Sequence, residues 1–193
     1  DLTLILWASG LRVTAAWNIA TETDASGLKQ GNYVKGTVLL VLRKQTSEET
    51  VYFDGLYPEV EMEVKRQIDS MRDLDDKEEP NFSDADYLLA AYAASLKVLT
   101  SYKQIEGIDI QYELSKERMR GEESPVEKII NQAVKVAYDY LIPSGFDDYT
   151  WKTLTPEERF FIKGLDIEKD GIYQIGHYQE LARGLQQHLS AIF

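Results

Sequence analysis

The chain has 193 residues, 44% of them hydrophobic, with a net charge of −12 and no cysteine. That length supports one generous domain or two small ones, and the lack of cysteine excludes a disulfide scaffold, a cysteine-ligated zinc site and a thiol nucleophile. The acidic balance repels nucleic-acid phosphates over most of the surface, so a nucleic-acid contact would have to use the least acidic part of the chain.

Leu2 to Ser9 reads as the end of a helix, with Gly10 closing it in a left-handed conformation. Leu11 to Ala20 carries Val13, Thr14, Trp17 and Ile19, and this β-branched and aromatic content predicts a strand. Thr21 to Val34 contains Asp24, Ser26, Gly27, Gly31 and Asn32 and predicts a loop. Thr37 to Leu42 is an unbroken apolar run, as in a strand covered on both faces of a sheet. Arg43 and Lys44 end it, and the loop allows the two strands to pair antiparallel. Two strands alone are marginal, so the pair is expected to be a piece of a larger sheet.

From Ser47 the period changes. Val60, Val64, Ile68 and Met71 form one apolar stripe over residues 56–74, with charge on the opposite face. Asp75 to Pro80, DDKEEP, predicts a charged linker. Ser83 is a good N-cap, followed by Asp84 and Asp86 in the first turn. That helix is expected to run to about Tyr102 with Leu88, Leu89, Tyr92, Leu96 and Leu99 facing the core. Gly107 to Leu114 predicts a short strand or an extended loop, and residues 116–123 an exposed charged segment.

Ser124-Pro125-Val126-Glu127 is a capping box with proline at the first helical position. It predicts a helix to about Leu141, with Ile129, Ile130, Ala133, Ala137 and Tyr140 inward. Thr155-Pro156-Glu157-Glu158 repeats the pattern for a helix to about Lys169, with Phe161 and Leu165 inward. A last helix, roughly Gly176 to Leu189, would bury Tyr178, Leu181, Leu185 and Leu189. The expected fold class is therefore α+β: an N-terminal antiparallel strand pair, then a mainly α-helical domain of about five helices, divided at residues 1–46 and 47–193.

Charge is unevenly placed. Residues 1–44 hold five basic groups (Arg12, Lys29, Lys35, Arg43, Lys44) against three acidic ones (Asp1, Glu22, Asp24), whereas residues 48–86 hold fourteen acidic and four basic groups. Those five basic residues are the candidate DNA contacts. His177 and His188 are too far apart in sequence to share a metal, and Asp166 to Gly171 lacks the distal glutamate of a calcium loop. No G-x-G or G-x-S-x-G pattern occurs. No apolar run approaches the ~20 residues that a membrane helix needs, and no basic segment precedes the first apolar run as in a signal peptide. With no cysteine, this fits a reducing cytoplasm.

WASGLRVTAAWNIATE, a loop, then GTVLLVLRK resembles the end of the catalytic domain in large adenine-specific DNA methylases of prokaryotes, in the beta-type amino-methyltransferase group. The residues that carry the likeness are Ser9-Gly10-Leu11, Val13, Trp17-Asn18-Ile19, Thr21 and Glu22, then Val38 to Lys44. Asn18 stands where the family pattern usually has proline. Downstream, Leu154 to Gly164, with Glu158 and Arg159, and Tyr178 to Gly184, with Gln179, Glu180 and Arg183, are similar to the C-terminal helical region of the same proteins.

The resemblance implies a class I methyltransferase sheet. It also implies S-adenosylmethionine as the parent's cofactor, DNA as its partner, and methylation of an adenine amino group flipped out of the duplex. The catalytic Asp/Asn-Pro-Pro-Tyr-type motif and the glycine-rich cofactor loop are not among these residues. The chain is thus expected to be a C-terminal fragment, without catalytic, cofactor-binding or metal-binding residues of its own and inactive alone. A different reading is an acidic helical module that binds other proteins. An open strand edge would favour a homo-oligomer or a strand-exchanged dimer.

Overall fold

A computed structural model describes residues 2–21, 36–74, 82–119, 122–143, 145–168 and 175–185. The fold is α+β, with a two-stranded antiparallel sheet near the N-terminus and mostly helix after it. A short helix α1 (Leu2–Ala8) ends at Gly10, whose φ of 67° is the left-handed closure that glycine adopts without steric cost. The chain reverses there into β1 (Leu11–Ala20), which pairs with β2 (Gly36–Lys44) from Leu11↔Lys44 to Ala20↔Gly36. A β-bulge between Val13 and Ala15 interrupts the ladder, the device that re-aims side chains on a strand.

Five longer helices follow, at the positions that the stripes and caps predict. They are α2 (Phe53–Leu74), α3 (Asp84–Leu99), α5 (Pro125–Tyr138), α7 (Pro156–Glu168) and α8 (Ile175–Gly184). Val60, Val64, Ile68 and Met71 of α2 are all buried, as are Ile129, Ile130, Ala133 and Ala137 of α5. Ser124 Oγ accepts from Glu127 N at 3.0 Å, and Ser124 N donates to Glu127 Oε2 at 2.6 Å. Thr155 and Glu158 make the same reciprocal pair at α7. No helix among the described residues is long and apolar enough to cross a membrane.

Several sequence expectations are corrected. Gly107 to Leu114 is neither strand nor extended loop beyond its first residues, because Asp109 caps a helix α4 (Ile110–Ser115) by accepting from Tyr112 N at 3.0 Å. A short parallel pair of strands, β3 (Thr50–Val51) and β4 (Gln104–Ile105), and a one-turn helix α6 (Asp148–Thr153) capped by Asp147 were not expected at all. These segments are too short to carry a period.

The core face of α3 also differs. Leu89 is exposed and Leu88 and Tyr92 are half-buried, while Ala90, Ala91, Ala93 and Ala94 are buried. The reason is that α3 is central: it packs on α2, α5 and both long strands, and alanines let these neighbours approach. In α7 the stripe is rotated. Phe161 and Leu165 are exposed, and Phe160, Lys163 and Gly164 face inward. Lys163 fixes that rotation with an ion pair to Asp84 at the start of α3, 2.6 Å away. Of the last helix, Leu181 and Leu185 are buried and Tyr178 is half-buried, while Leu189 lies outside the described residues, as do the DDKEEP segment and the loop after Thr21.

β2 is not covered on both faces. The inner face of the hairpin rests on α3, through Val13 with Leu6 and Leu96. The outer face carries the directly opposed pair Trp17↔Leu39 and Ile19, each between 43% and 55% exposed. The two edges differ as well. The outer edge of β1 is capped by helix side chains: Val13 N donates to Thr100 Oγ1 at 2.8 Å, and Gln67 Nε2 donates to Ala16 O at 3.1 Å. The far edge of β2 pairs with no strand among the described residues.

Candidate functional site

The ladder brings two of the five predicted basic contacts together on one face, since neighbouring residues of a strand point to opposite sides. Arg12 lies directly opposite Arg43, and Lys44 is next to it, opposite Leu11. Lys29 and Lys35 lie outside the described residues. Arg12 lines a pocket of about 340 Å³ between β1 and the helices, with Thr14, Glu59, Lys97 and Ser101. A second groove of about 240 Å³ continues along the edge of β1, lined by Trp17, Asn18, Arg66, Gln67 and again Lys97. Arg12 Nε and Asn18 Oδ1 are buried without hydrogen-bond partners among the described residues.

The wall opposite β1 is an ion network. Glu63 on α2 accepts from Arg66 Nη2 at 2.6 Å and from Lys97 Nζ at 2.8 Å. Burial raises the Glu63 pKa, but the bonds from Arg66 and Lys97 outweigh it and hold the carboxyl below its usual value. Its charge therefore stabilises the fold above the unfolded carboxylate pKa, and that contribution disappears as pH falls through the lowered folded value. Glu63→Gln is expected to cost about 1 kcal/mol at pH 7. The gap between the two proteins should close between about pH 5 and pH 3 in thermal melts. A gap unchanged at pH 3 would show that packing, not charge, is what Glu63 contributes.

Glu59, one turn earlier, accepts from the Tyr102 hydroxyl with both oxygens at 2.7 Å. That bond, with burial, pushes the Tyr102 pKa up to about 12, so the hydroxyl stays protonated and keeps the carboxylate turned toward it. The Tyr102 carbonyl accepts from Trp7 Nε1 and from Gln45 Nε2, each at 3.0 Å, and so ties α1 and the segment after β2 to the end of α3.

The motif positions divide by role. Trp17 sits on the open face of the hairpin and Thr21 lies 3.3 Å from Thr37 across its end, while Glu22 lies outside the described residues. Glu158 caps α7. Arg159 is a clasp: its Nε donates to Trp151 O at 3.0 Å, its Nη2 to Lys152 O at 3.2 Å, and its Nη1 pairs with Asp139, with the guanidinium 5.5 Å from the Trp151 ring centroid. Gln179 is exposed on α8, and the Glu180 and Arg183 side chains lie outside the description. Arg159 thus holds α5, α6 and α7 together and Glu158 caps α7, and neither forms a site with Arg12.

Sequence reasoning missed Glu59, Glu63, Arg66 and Lys97. A signal was there: the first three follow at helical spacing beside the apolar stripe of α2, and Lys97 is the one cation within α3. Among the described residues no group of three or more His, Asp or Glu gathers as a metal site. The arrangement places the unpartnered Arg12 Nε in the same pocket as Glu59 and Lys97, beside the paired charges of Glu63 and Arg66. No family model matches the chain, and no curated protein or solved structure matches it either.

Proposed function

We propose that the chain is the C-terminal part of an S-adenosylmethionine-dependent, adenine-specific DNA methyltransferase, with the hairpin as the margin of its catalytic sheet and the helices as an accessory domain. The observation that carries this reading is the hairpin itself. Its outer face is apolar and open at Trp17, Ile19 and Leu39, and its β2 edge pairs with no strand among the described residues, while the β1 edge is already closed by Gln67 and Thr100. Such a ribbon gains from further strands on one edge and helices on one face.

Among the described residues, the pocket and the left-handed glycines do not fit the cofactor. The Arg12 pocket presents two cations to a sulfonium, and Gly10, Gly107 and Gly145 stand singly in turns rather than in a cradling loop. The cofactor and the catalytic motif belong to the rest of the parent enzyme in this reading. In the coding region ahead of Asp1, an Asp/Asn-Pro-Pro-Tyr-type motif and a glycine-rich loop are expected. The continuous protein should transfer a labelled methyl group to adenine in DNA, while these 193 residues alone give no heat with S-adenosylmethionine in calorimetry. Micromolar cofactor binding by these residues, or an upstream region without the motif, would overturn it.

A further inference from the structure

We propose that the outer face of α7 is a docking site for a basic amphipathic helix of another protein. A surface helix ordinarily turns its charges outward and its apolar residues inward. In part, α7 does the reverse. Phe161 and Leu165, one turn apart, are 66% and 53% exposed, while Lys163 is 4% exposed. The two cations of α7, Arg159 and Lys163, are both turned away from this face. Lys163 pairs with Asp84 of α3 at 2.6 Å, and the Arg159 guanidinium donates to the Trp151 and Lys152 carbonyls. The inward side is taken by α8, where Gly164 stands against the Tyr178 ring. The fold thus keeps a buried lysine, which is costly even when paired, and leaves a phenylalanine and a leucine largely in water.

Charge decides the occupant. Glu157 lies four residues before Phe161 and Glu158 three before it, and both are exposed. Glu168 follows Leu165 by three residues at the other end, and its carboxylate accepts from the Tyr178 hydroxyl. Spacings of three and four share one helix face. The apolar pair is therefore bracketed by carboxylates, with neither cation of α7 beside it. A second copy of α7 would set the same carboxylates against these in either direction, on a chain of net charge −12, and like charges across an interface are costly. A helix with apolar residues at i, i+3, i+4 and i+7, flanked by Lys or Arg at both ends, matches the apolar pair and the carboxylates together. The site is argued from α7 alone and does not depend on the methyltransferase reading, which rests on the hairpin.

The test titrates the full chain into a labelled four-turn peptide of leucine, lysine and alanine, with leucine at that spacing, and reads fluorescence anisotropy. Saturable binding at roughly 100 µM protein is expected, as for a small transient contact, and it should weaken as salt is added. A peptide of the same composition with its leucines scrambled off one face should bind at least about tenfold more weakly. The double variant Phe161→Ser, Leu165→Ser should lose about as much for the original peptide. Both positions are exposed, so its circular dichroism and melting temperature should match those of the wild type. Glu157→Lys should weaken binding about threefold. No binding by the wild type, equal binding of the scrambled peptide, or undiminished binding by the double variant overturns the proposal. Should the double variant fail to fold, undiminished binding by Glu157→Lys does the same. Sedimentation without peptide covers the remaining occupant: self-association that the double variant abolishes assigns the face to a second copy and overturns the proposal too.

Discussion

Leu96→Ala is expected to lower the unfolding free energy by about 3 kcal/mol, within the range for truncating a buried leucine, and to loosen the hairpin before the helices melt. Leu96 is 1% exposed and belongs to a small cluster with Leu6 and Val13, apart from the main core. It is the buried apolar side chain by which α3 packs against the inner face of the sheet. Its carbonyl also accepts from Thr100 Oγ1 at 2.7 Å, the same hydroxyl that receives Val13 N, so a cavity here shifts the edge cap of β1 as well. Ile129→Ala is the matched control. Ile129 is fully buried in the main cluster and does not belong to the Leu6, Val13 and Leu96 group, so its loss should weaken all elements together. Native-state hydrogen exchange reads the difference. In Leu96→Ala the amides of β1 and β2 should lose more protection than those of α5. Equal losses in both would mean that the hairpin and the helices open as one unit.

Asp86→Ala should cost about 3 kcal/mol by chemical denaturation, from several charge-assisted bonds lost together. Asp86 is 3% exposed. Its Oδ2 accepts from Ser83 N at 2.8 Å and from Ser83 Oγ at 2.9 Å, and its Oδ1 accepts from Gly36 N at 2.9 Å. One carboxylate therefore closes the start of α3, where negative charge also suits the helix dipole, and anchors the first residue of β2. The approach is close: a Cβ at Gly36 would lie 2.9 Å from Ile19 O and 3.3 Å from Asp86 Oδ1. Asp86→Asn keeps the shape and part of the bonding and is expected to lose about half as much. A cost below about 1 kcal/mol for the alanine variant would show that water replaces these bonds without penalty.

Elements with long periods or marked caps were legible in the chain. The α2 stripe, the Ser124 and Thr155 boxes and the Gly10 closure each rest on residues within one or two turns of one another. The errors fall where neighbours decide. Leu89 looks like a core leucine, but α3 is surrounded and fills its contacts with alanine. Phe161 looks inward until Lys163 pairs with Asp84, 79 residues away, and turns the helix. The candidate site divides in the same way. Arg12, Arg43 and Lys44 were visible as basic residues, but the direct opposition of Arg12 and Arg43 depends on register, and Lys97 shares a pocket with Arg12 only because α3 packs on β1.

The sequence by itself determined the helix starts, the pairing of an apolar ribbon and the uneven charge, because these follow from local hydrogen bonding and periodicity. Tertiary structure alone decided which faces were buried, which edge of the hairpin was closed, and which arginine nitrogen was left without an acceptor. Those outcomes depend on side chains such as Gln67 and Thr100, which meet β1 across 51 and 87 residues of sequence. No local pattern encodes such meetings, since packing fixes them only when every element is in place.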